Sequence, residues 1–165
     1  MAVGDENTPG KSRAPVLADV VDLCRRLNEQ QARYLVVGGW AIIQLGFGRT
    51  TEDVDLLVED SEDNFERIQK AMLGLPDGAV REMEATDLSQ YTVVRVGDVY
   101  TVDLMAKACG VDYQEASSEI DWHNVEGERI PFANAQLMWR LKQTIRVKDE
   151  VDRDYLRSIQ AEEAE

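Results

Sequence analysis

The part of this chain that most constrains its fold contains two short apolar runs separated by glycines. Tyr34–Val37 is rich in strand-forming residues and is ended by Gly38-Gly39, after which residues 40–45 fit a helix. A second strand-forming run begins at Asp53. A strand, a glycine turn, a helix and another strand in direct succession predict an α/β (α+β) fold, in which a mixed sheet carries flanking helices.

The later segments also divide into helical and strand-like patterns. The predicted helices cover residues 16–27, 64–73, 135–145 and 151–159, and the further predicted strands cover residues 91–96, 100–105 and 120–125. Because Gly97-Asp98 separates two of these strands, a β-hairpin is predicted there.

The length and composition of the chain predict one domain. With 165 residues, 44% of them apolar, the chain can bury a single core. We expect residues 14–160 to form this domain, residues 1–13 to be a flexible N-terminal segment and residues 161–165 to be an acidic tail. The chain has neither a long apolar run nor the apolar centre of a signal peptide, so a cytoplasmic protein without membrane spans is expected.

The two cysteines and the charge balance exclude several classes of site. Cys24 and Cys109 lie far apart in apolar surroundings, which predicts two small core residues rather than a zinc site or a disulfide. The 32 acidic and 18 basic residues give a net charge of -14, which disfavours an extended nucleic-acid-binding surface. Several cations nevertheless gather late in the chain: Arg140, Lys142, Arg146, Lys148, Arg153 and Arg157.

Asp53 and Asp55 form the first candidate site. Side chains two apart on a strand face the same way, so these carboxylates point together from Cα atoms roughly 6.6 Å apart. Two like charges in one small space repel each other but suit hard divalent cations, of which magnesium is the natural candidate. A Gly38-Gly39 turn adds backbone N–H groups that a polyphosphate can approach closely.

The combination of Gly38-Gly39, Asp53-Val54-Asp55 and the later Val102-Asp103-Leu104 resembles the nucleotidyltransferase superfamily built on the catalytic fold of DNA polymerase beta. The resemblance spans roughly residues 33–157 and is strongest to small bacterial members related to the abortive-infection nucleotidyltransferase toxins. The segments that carry this second likeness are Gly39-Trp40-Ala41, Arg49-Thr50-Thr51, Asp53 to Val58, Asp103-Leu104-Met105, Leu141-Lys142, Lys148-Asp149 and Asp152.

The resemblance implies a role for each matching carboxylate. Asp53 and Asp55 would bind Mg²⁺ or Mn²⁺, and Asp103 would be the third ligand and the base for the acceptor hydroxyl. The implied reaction transfers a nucleoside monophosphate from a nucleoside triphosphate to RNA, protein or a small molecule and releases pyrophosphate. A toxin–antitoxin-type system with a protein partner is one setting that the resemblance suggests, but the known toxins are longer and have a large helical C-terminal part, where this chain is predicted to have two short helices.

The resemblance also implies a triphosphate site, in which Gly38 and Gly39 hold the phosphates and Lys142 neutralises them. Lys142 and Arg146 are four apart and are predicted to share one helical face beside the core. The alternative for Lys142 is an ordinary ion pair with Asp149 or Glu150.

Two further arginines have open assignments. Arg49 is predicted either to bind phosphate or to brace the Asp53 carboxylate. Asp103 lies between apolar residues, where an unpaired carboxylate is rarely tolerated, so a pairing with Arg49 or Arg95 is the alternative to catalysis.

Two other functions remain open from the sequence. One is a non-catalytic nucleotide-sensing or partner-binding module on the same fold. The other is an aminoglycoside-type antibiotic nucleotidyltransferase, because such enzymes also carry a Gly-Gly-Trp-Ala opening before their paired aspartates, and because the negative charge of this chain favours a polycationic acceptor.

Overall fold

A computed structural model describes residues 12–144 and 146–164, which form a six-stranded mixed sheet with flanking helices. The strands are β1 (Tyr34–Val37), β2 (Asp53–Val58), β3 (Val94–Gly97), β4 (Thr101–Met105), β5 (Lys107–Ala108), β6 (Val111–Asp112), β7 (Ile120–Val125) and β8 (Glu128–Ala133). The helices are α1 (Leu17–Glu29), α2 (Gly38–Gln44), α3 (Glu62–Met72), α4 (Asp87–Gln90), α5 (Tyr113–Ala116), α6 (Ala135–Leu141) and α7 (Val147–Ala164). The predicted fold class is confirmed.

The strands run in the order β3-β4-β2-β1-β8-β7. The two antiparallel hairpins β3–β4 and β7–β8 form the two ends of the sheet, and the parallel pairs β2–β4 and β1–β8 join them to the central antiparallel pair β1–β2. Strands β5 and β6 form a separate two-stranded ribbon directly after β4.

The burial of the central strands leaves one polar opening in the sheet. All four residues of β1 are buried in the core. In β2 the buried Val54 and Leu56 alternate with the half-buried Asp53 and Asp55, whereas the end of the strand is buried throughout. The start of β2 is therefore where polar side chains reach solvent from the middle of the sheet.

The predicted hairpin forms with a longer connection than Gly97-Asp98 indicates. Gly97 pairs with Thr101 inside the ladder, so Asp98, Val99 and Tyr100 make the turn. The Asp98 carboxylate is buried and accepts backbone N–H groups, including that of Val99 itself. The backbone N–H groups that need this buried acceptor come partly from a distant segment, so the sequence of the turn does not reveal the longer connection.

The two cysteines have different environments. Cys24 is fully buried in α1, as predicted, but Cys109 is exposed, so its assignment to the core is wrong. Cys109 and Gly110 both have positive φ in the tight β5–β6 turn, which holds the cysteine at the surface.

The boundaries of the two C-terminal helices differ from the predicted ones. Helix α6 ends at Leu141, so the prediction of one helix over residues 135–145 is wrong, and Ile145 lies outside the described residues. The Arg153 side chain donates to the carbonyls of Lys142 and Thr144 and thereby fixes the break. Helix α7 starts at Val147 and extends to Ala164.

The described N-terminus follows the hairpin. Ser12 Oγ donates to the carbonyl of Asp98, and the backbone N–H of Arg13 donates to that of Val99. Residues 1–11 of the predicted flexible segment and Glu165 of the predicted acidic tail lie outside the described residues. None of the described helices has the length and apolar content needed to cross a membrane.

Candidate active site

A row of paired residues across four strands positions the candidate site. Asp55 in β2 lies opposite Val37 in β1 and opposite Asp103 in β4, and Asp103 lies opposite Arg95 in β3. Residues directly opposite one another in a sheet project from the same face. The register therefore brings Asp55, Asp103 and Arg95 together, with Gly38 following Val37 at one end of the row.

Three carboxylates cluster at this row. Asp53, Asp55 and Asp103 each offer one oxygen, and these oxygens lie within 4.8 Å of one another. Asp103 is buried, whereas the other two are half-buried. An all-oxygen set of charged donors is the type that Mg²⁺ and Mn²⁺ accept, so the three residues fit a divalent metal ion.

The electrostatics of the cluster also favour a cation. Burial, together with the negative charges of Asp53 and Asp103, raises the pKa of Asp55 to about 7, against the opposing effect of Lys142. Burial and the charge of Asp103 raise the pKa of Asp53 as well. Three ionised carboxylates in this space destabilise the metal-free protein, and a bound divalent ion would remove that cost.

The raised pKa of Asp55 makes the stability of the metal-free protein depend on pH. Because this pKa is higher in the folded chain than in the unfolded chain, stability falls as pH rises from about 4 to about 7. In excess chelator, going from pH 8 to pH 5.5 should stabilise the wild type by roughly 2 kcal/mol more than Asp55→Asn. Urea unfolding of both proteins at the two pH values measures this difference, and parallel responses would contradict the raised pKa.

Gly38 and Gly39 are required by close packing against the acidic strand. Gly38 has a φ of +68°, and a Cβ atom there would lie 2.0 Å from Asp55 Oδ2. A Cβ atom on Gly39 would lie 2.6 Å from Thr51 Oγ1. The double glycine thus lets the start of α2 lie directly against Asp55 and the segment that leads into β2.

Gly38→Ala is expected to disable the carboxylate cluster. The new methyl group combines a disfavoured positive φ with a collision against Asp55, and should cost about 2 kcal/mol or more of stability. Displacement of the Asp55 carboxylate should also weaken Mn²⁺ binding, which calorimetry measures. Gly48→Ala is the matched control, because a Cβ atom at Gly48 meets no heavy atom within 4 Å among the described residues. Equal Mn²⁺ affinities in the two variants would contradict this role of Gly38.

A cavity of about 240 Å³ adjoins two of the carboxylates. Its lining includes all five residues that the sequence predicts for nucleotide binding: Gly38, Gly39, Arg49, Lys142 and Arg146. Asp53 and Asp55 line the same cavity, whereas Asp103 lies outside its lining. The structure thus brings the acidic centre and part of the late basic stretch into one place.

The cavity is locally basic although the chain is acidic. Its lining contains five cations and three carboxylates: Arg49, Lys107, Lys142, Arg146 and Lys148, with Asp53, Asp55 and Asp149. Lys107 and Lys148 were not predicted as site residues from the sequence. A usable signal for Lys107 was its position two residues after the strand that carries Asp103, since that strand end faces the site.

Lys142 is a buried ion-paired residue and not a partly exposed helical side chain. Its Nζ lies 3.0 Å from Asp149 Oδ1 and 3.0 Å from Asp152 Oδ2, and the residue is only 7% exposed. The ion-pair alternative was therefore right for Asp149. Burial alone would raise the pKa of Asp149, but hydrogen bonds from Thr144 and Lys142 hold it below its ordinary value.

Arg49 and Arg146 join this cluster at its edges. Arg49 Nη1 lies 2.5 Å from Asp152 Oδ2, so the prediction that Arg49 braces Asp53 is wrong. Arg146 Nε lies 3.5 Å from Asp149 Oδ2, and its side chain is 58% exposed. The shared helical face predicted for Lys142 and Arg146 does not exist, because α6 ends before the first and α7 begins after the second.

Asp103 has Arg95 as its partner. Arg95 Nε and Nη2 lie 2.9 Å from the two oxygens of Asp103, and Nη2 also lies 3.4 Å from Asp53 Oδ2. Of the two pairings that the sequence left open for Asp103, the structure has this one. The hydrogen bonds to Asp103 raise the pKa of Arg95.

Three late cations serve the fold at other positions. Arg140 pairs with Glu115 and Glu119, Arg153 binds backbone carbonyls, and the Arg157 guanidinium lies over the Trp139 ring. The basic stretch seen in the sequence therefore contributes only some of its charges to the cavity.

In comparisons with known proteins, the chain shows a likeness to solved structures in its fold alone. No protein-family model matches the chain, and no curated protein matches it. A candidate nucleotidyltransferase from Thermotoga maritima superposes with a TM-score of 0.51 at 14% identity, over 90% of this chain and 87% of that chain. An antigenic nucleotidyltransferase-like protein from Paracoccidioides brasiliensis gives a TM-score of 0.53 at 18% identity, over 88% of this chain and 77% of that chain. The chain has a nucleotidyltransferase fold.

Proposed function

We propose that this protein is a metal-dependent nucleotidyltransferase that moves a nucleoside monophosphate from a nucleoside triphosphate to an acceptor hydroxyl. The observation that most supports the proposal is the basic cavity beside three clustered carboxylates. Acidic residues alone repel a polyphosphate, and basic residues alone lack ligands for a metal ion. The combination of the two suits a reaction at the α-phosphate of a triphosphate, with pyrophosphate as the leaving group.

The three carboxylates divide the chemistry between them. Asp53 and Asp55 would hold Mg²⁺ or Mn²⁺, which neutralises charge at the reacting phosphate and at the leaving oxygen. Asp103 would be the third ligand and would accept the proton of the acceptor hydroxyl. The acceptor oxygen bonds to the α-phosphorus while the bond from that phosphorus to the bridging oxygen breaks, and pyrophosphate leaves.

The cavity cations would hold the β and γ phosphates against the Gly38-Gly39 turn. Arg146 is the cation with the most accessible charge among the predicted residues, because its side chain is largely exposed and, within the described part of the chain, Asp149 is the one carboxylate paired with it. Lys142 and Arg49 both pair with the buried Asp152, and their charges would stabilise the phosphates from deeper in the protein. Leaving pyrophosphate accumulates charge that such positioned cations stabilise.

The test is a transfer assay with the four α-labelled nucleoside triphosphates, magnesium and a cell extract. We expect label to enter RNA, protein or a small molecule with one or more of the triphosphates, and chelator or Asp53→Asn to abolish the transfer. Metal-dependent triphosphate binding without any transfer would favour the nucleotide-sensing alternative. Equally tight binding in excess chelator would eliminate the metal from the proposal.

We further propose that the reaction takes place within a toxin–antitoxin-type system. If transfer damages the host, expression of the wild-type protein should arrest bacterial growth, and Asp55→Asn should not. Growth curves after induction measure this effect. Normal growth with an active enzyme would leave a nucleotidyltransferase with a harmless acceptor, such as an antibiotic, which a screen of labelled small molecules identifies.

A further inference from the structure

Arg95 occupies the outer side of the carboxylate cluster. It lies directly opposite Asp103 in the antiparallel pair β3–β4 and forms a two-pronged contact with both Asp103 oxygens, at 2.9 Å each. The same guanidinium reaches Asp53 at 3.4 Å. Its charge thus lies on Asp103 and the near edge of Asp53, while Asp55 lies on the far side, against Gly38.

The position of Arg95 conflicts with the role proposed for Asp103. A divalent ion bound to Asp103 would lie beside the guanidinium, and two cations on one carboxylate repel each other. The planar fork of an arginine also directs its N–H donors at both carboxylate oxygens at once, which are the atoms that a metal ion or an acceptor hydroxyl would use. Among the described residues, no guanidinium makes such a two-pronged contact with Asp53 or Asp55.

We propose that Arg95 is a positioning residue that competes with a metal ion for Asp103, and that Asp103 becomes available to the ion only when Arg95 leaves it. The inference rests on the proposed function, because it concerns the metal affinity of the same three carboxylates. Asp53 and Asp55 would hold a first ion with Arg95 in place. An ion that also has Asp103 as a ligand would have to displace Arg95 from that carboxylate.

The surroundings of Arg95 give it room to move. Its side chain is 65% exposed and borders an open cavity of about 500 Å³, which shares Asp53 with the lining of the basic cavity. Glu52 lines this second cavity and offers another carboxylate to a displaced guanidinium. Because the Arg95 side chain is mostly exposed, its release would exchange ion pairs without disturbing the core.

Metal binding by the 165-residue chain, without nucleotide, tests the inference with no activity assay. Mn²⁺ is titrated into wild type and Arg95→Gln, and free Mn²⁺ is followed by electron paramagnetic resonance. We expect Arg95→Gln to bind Mn²⁺ roughly tenfold more tightly at its weakest site, because the competing charge-assisted contact is absent. Arg95→Lys keeps the charge but loses the fork, so its affinity should fall between the other two.

Arg13→Gln is the matched control. Arg13 lines the same open cavity and also pairs with an aspartate, but that aspartate is Asp19, outside the carboxylate cluster. Its Mn²⁺ affinity should equal that of wild type. Equal affinities for wild type and Arg95→Gln would overturn the role of Arg95 while leaving the metal site intact. Failure of both proteins to bind Mn²⁺ would overturn the proposed function and this inference together.

Discussion

Replacing Asp55 with asparagine is expected to slow nucleotide transfer by roughly a thousandfold or more and to weaken metal-dependent triphosphate binding. Asp55 is the central carboxylate of the row, opposite Asp103 and close against Gly38. In the proposed mechanism it would hold the metal together with Asp53, and asparagine preserves its shape while removing the charge. Calorimetry with a triphosphate and Mg²⁺, followed by single-turnover transfer, measures both effects.

Asp103→Asn should differ from Asp55→Asn in what it loses. Asp103 lies outside the lining of the basic cavity, so triphosphate binding should be largely retained while the chemical step slows. Asp121→Asn, which changes an exposed carboxylate on the edge strand β7, is the control and should behave like wild type. Wild-type transfer rates in Asp55→Asn would remove Asp55 from the mechanism.

Unfolding does not provide an alternative explanation for a loss of activity in Asp55→Asn. The carboxylate of Asp55 is destabilising when it is ionised without a metal, since its pKa is raised to about 7. In chelator at pH 8 the asparagine variant should therefore be at least as stable as wild type. An inactive but more stable protein is the signature of a residue kept for function at a cost in stability.

Local sequence patterns were sufficient to predict the core of the site. The alternation of β2 placed Asp53 and Asp55 on one face, and the glycines that follow β1 marked the point where α2 begins. These features depend on residues close together in the chain. The proximity of Asp103 and its pairing with Arg95 instead depend on strand register, which a single sequence does not specify beyond the resemblance.

The environment of Lys142 was out of reach of the same reasoning. Apolar residues at positions 137, 141 and 145 have helical spacing, which predicts that the helix continues through Lys142. Contacts from α7 decide otherwise, since Arg153 binds the carbonyl of Lys142 and Asp152 binds its ammonium group. Asp152 also pairs with Arg49, 103 residues earlier in the chain. Such long-range ion pairs override local helical preference.

Lys142→Ala is expected to lower the free energy of unfolding by about 3 kcal/mol or more. The substitution leaves Asp149 and Asp152, which are 3% and 1% exposed, without the ammonium that bridges them. Truncation also removes the packing of a buried side chain. Urea unfolding at neutral pH measures the loss, and the matched control is Lys148→Ala, which removes an exposed lysine from the same cavity and should change stability by about 0.5 kcal/mol or less.

A second substitution separates the buried charges from the lost packing. Asp149→Asn in the Lys142→Ala background removes one of the two carboxylates left behind, so it should restore part of the lost stability, whereas in the wild-type background it breaks a pair and should destabilise. Triphosphate binding is then compared at a temperature where every variant is folded. If the double variant is stable but binds weakly, Lys142 contributes to the triphosphate site as well as to the fold. If Lys142→Ala costs less than about 1 kcal/mol, the buried cluster is not what holds α7 against the cavity.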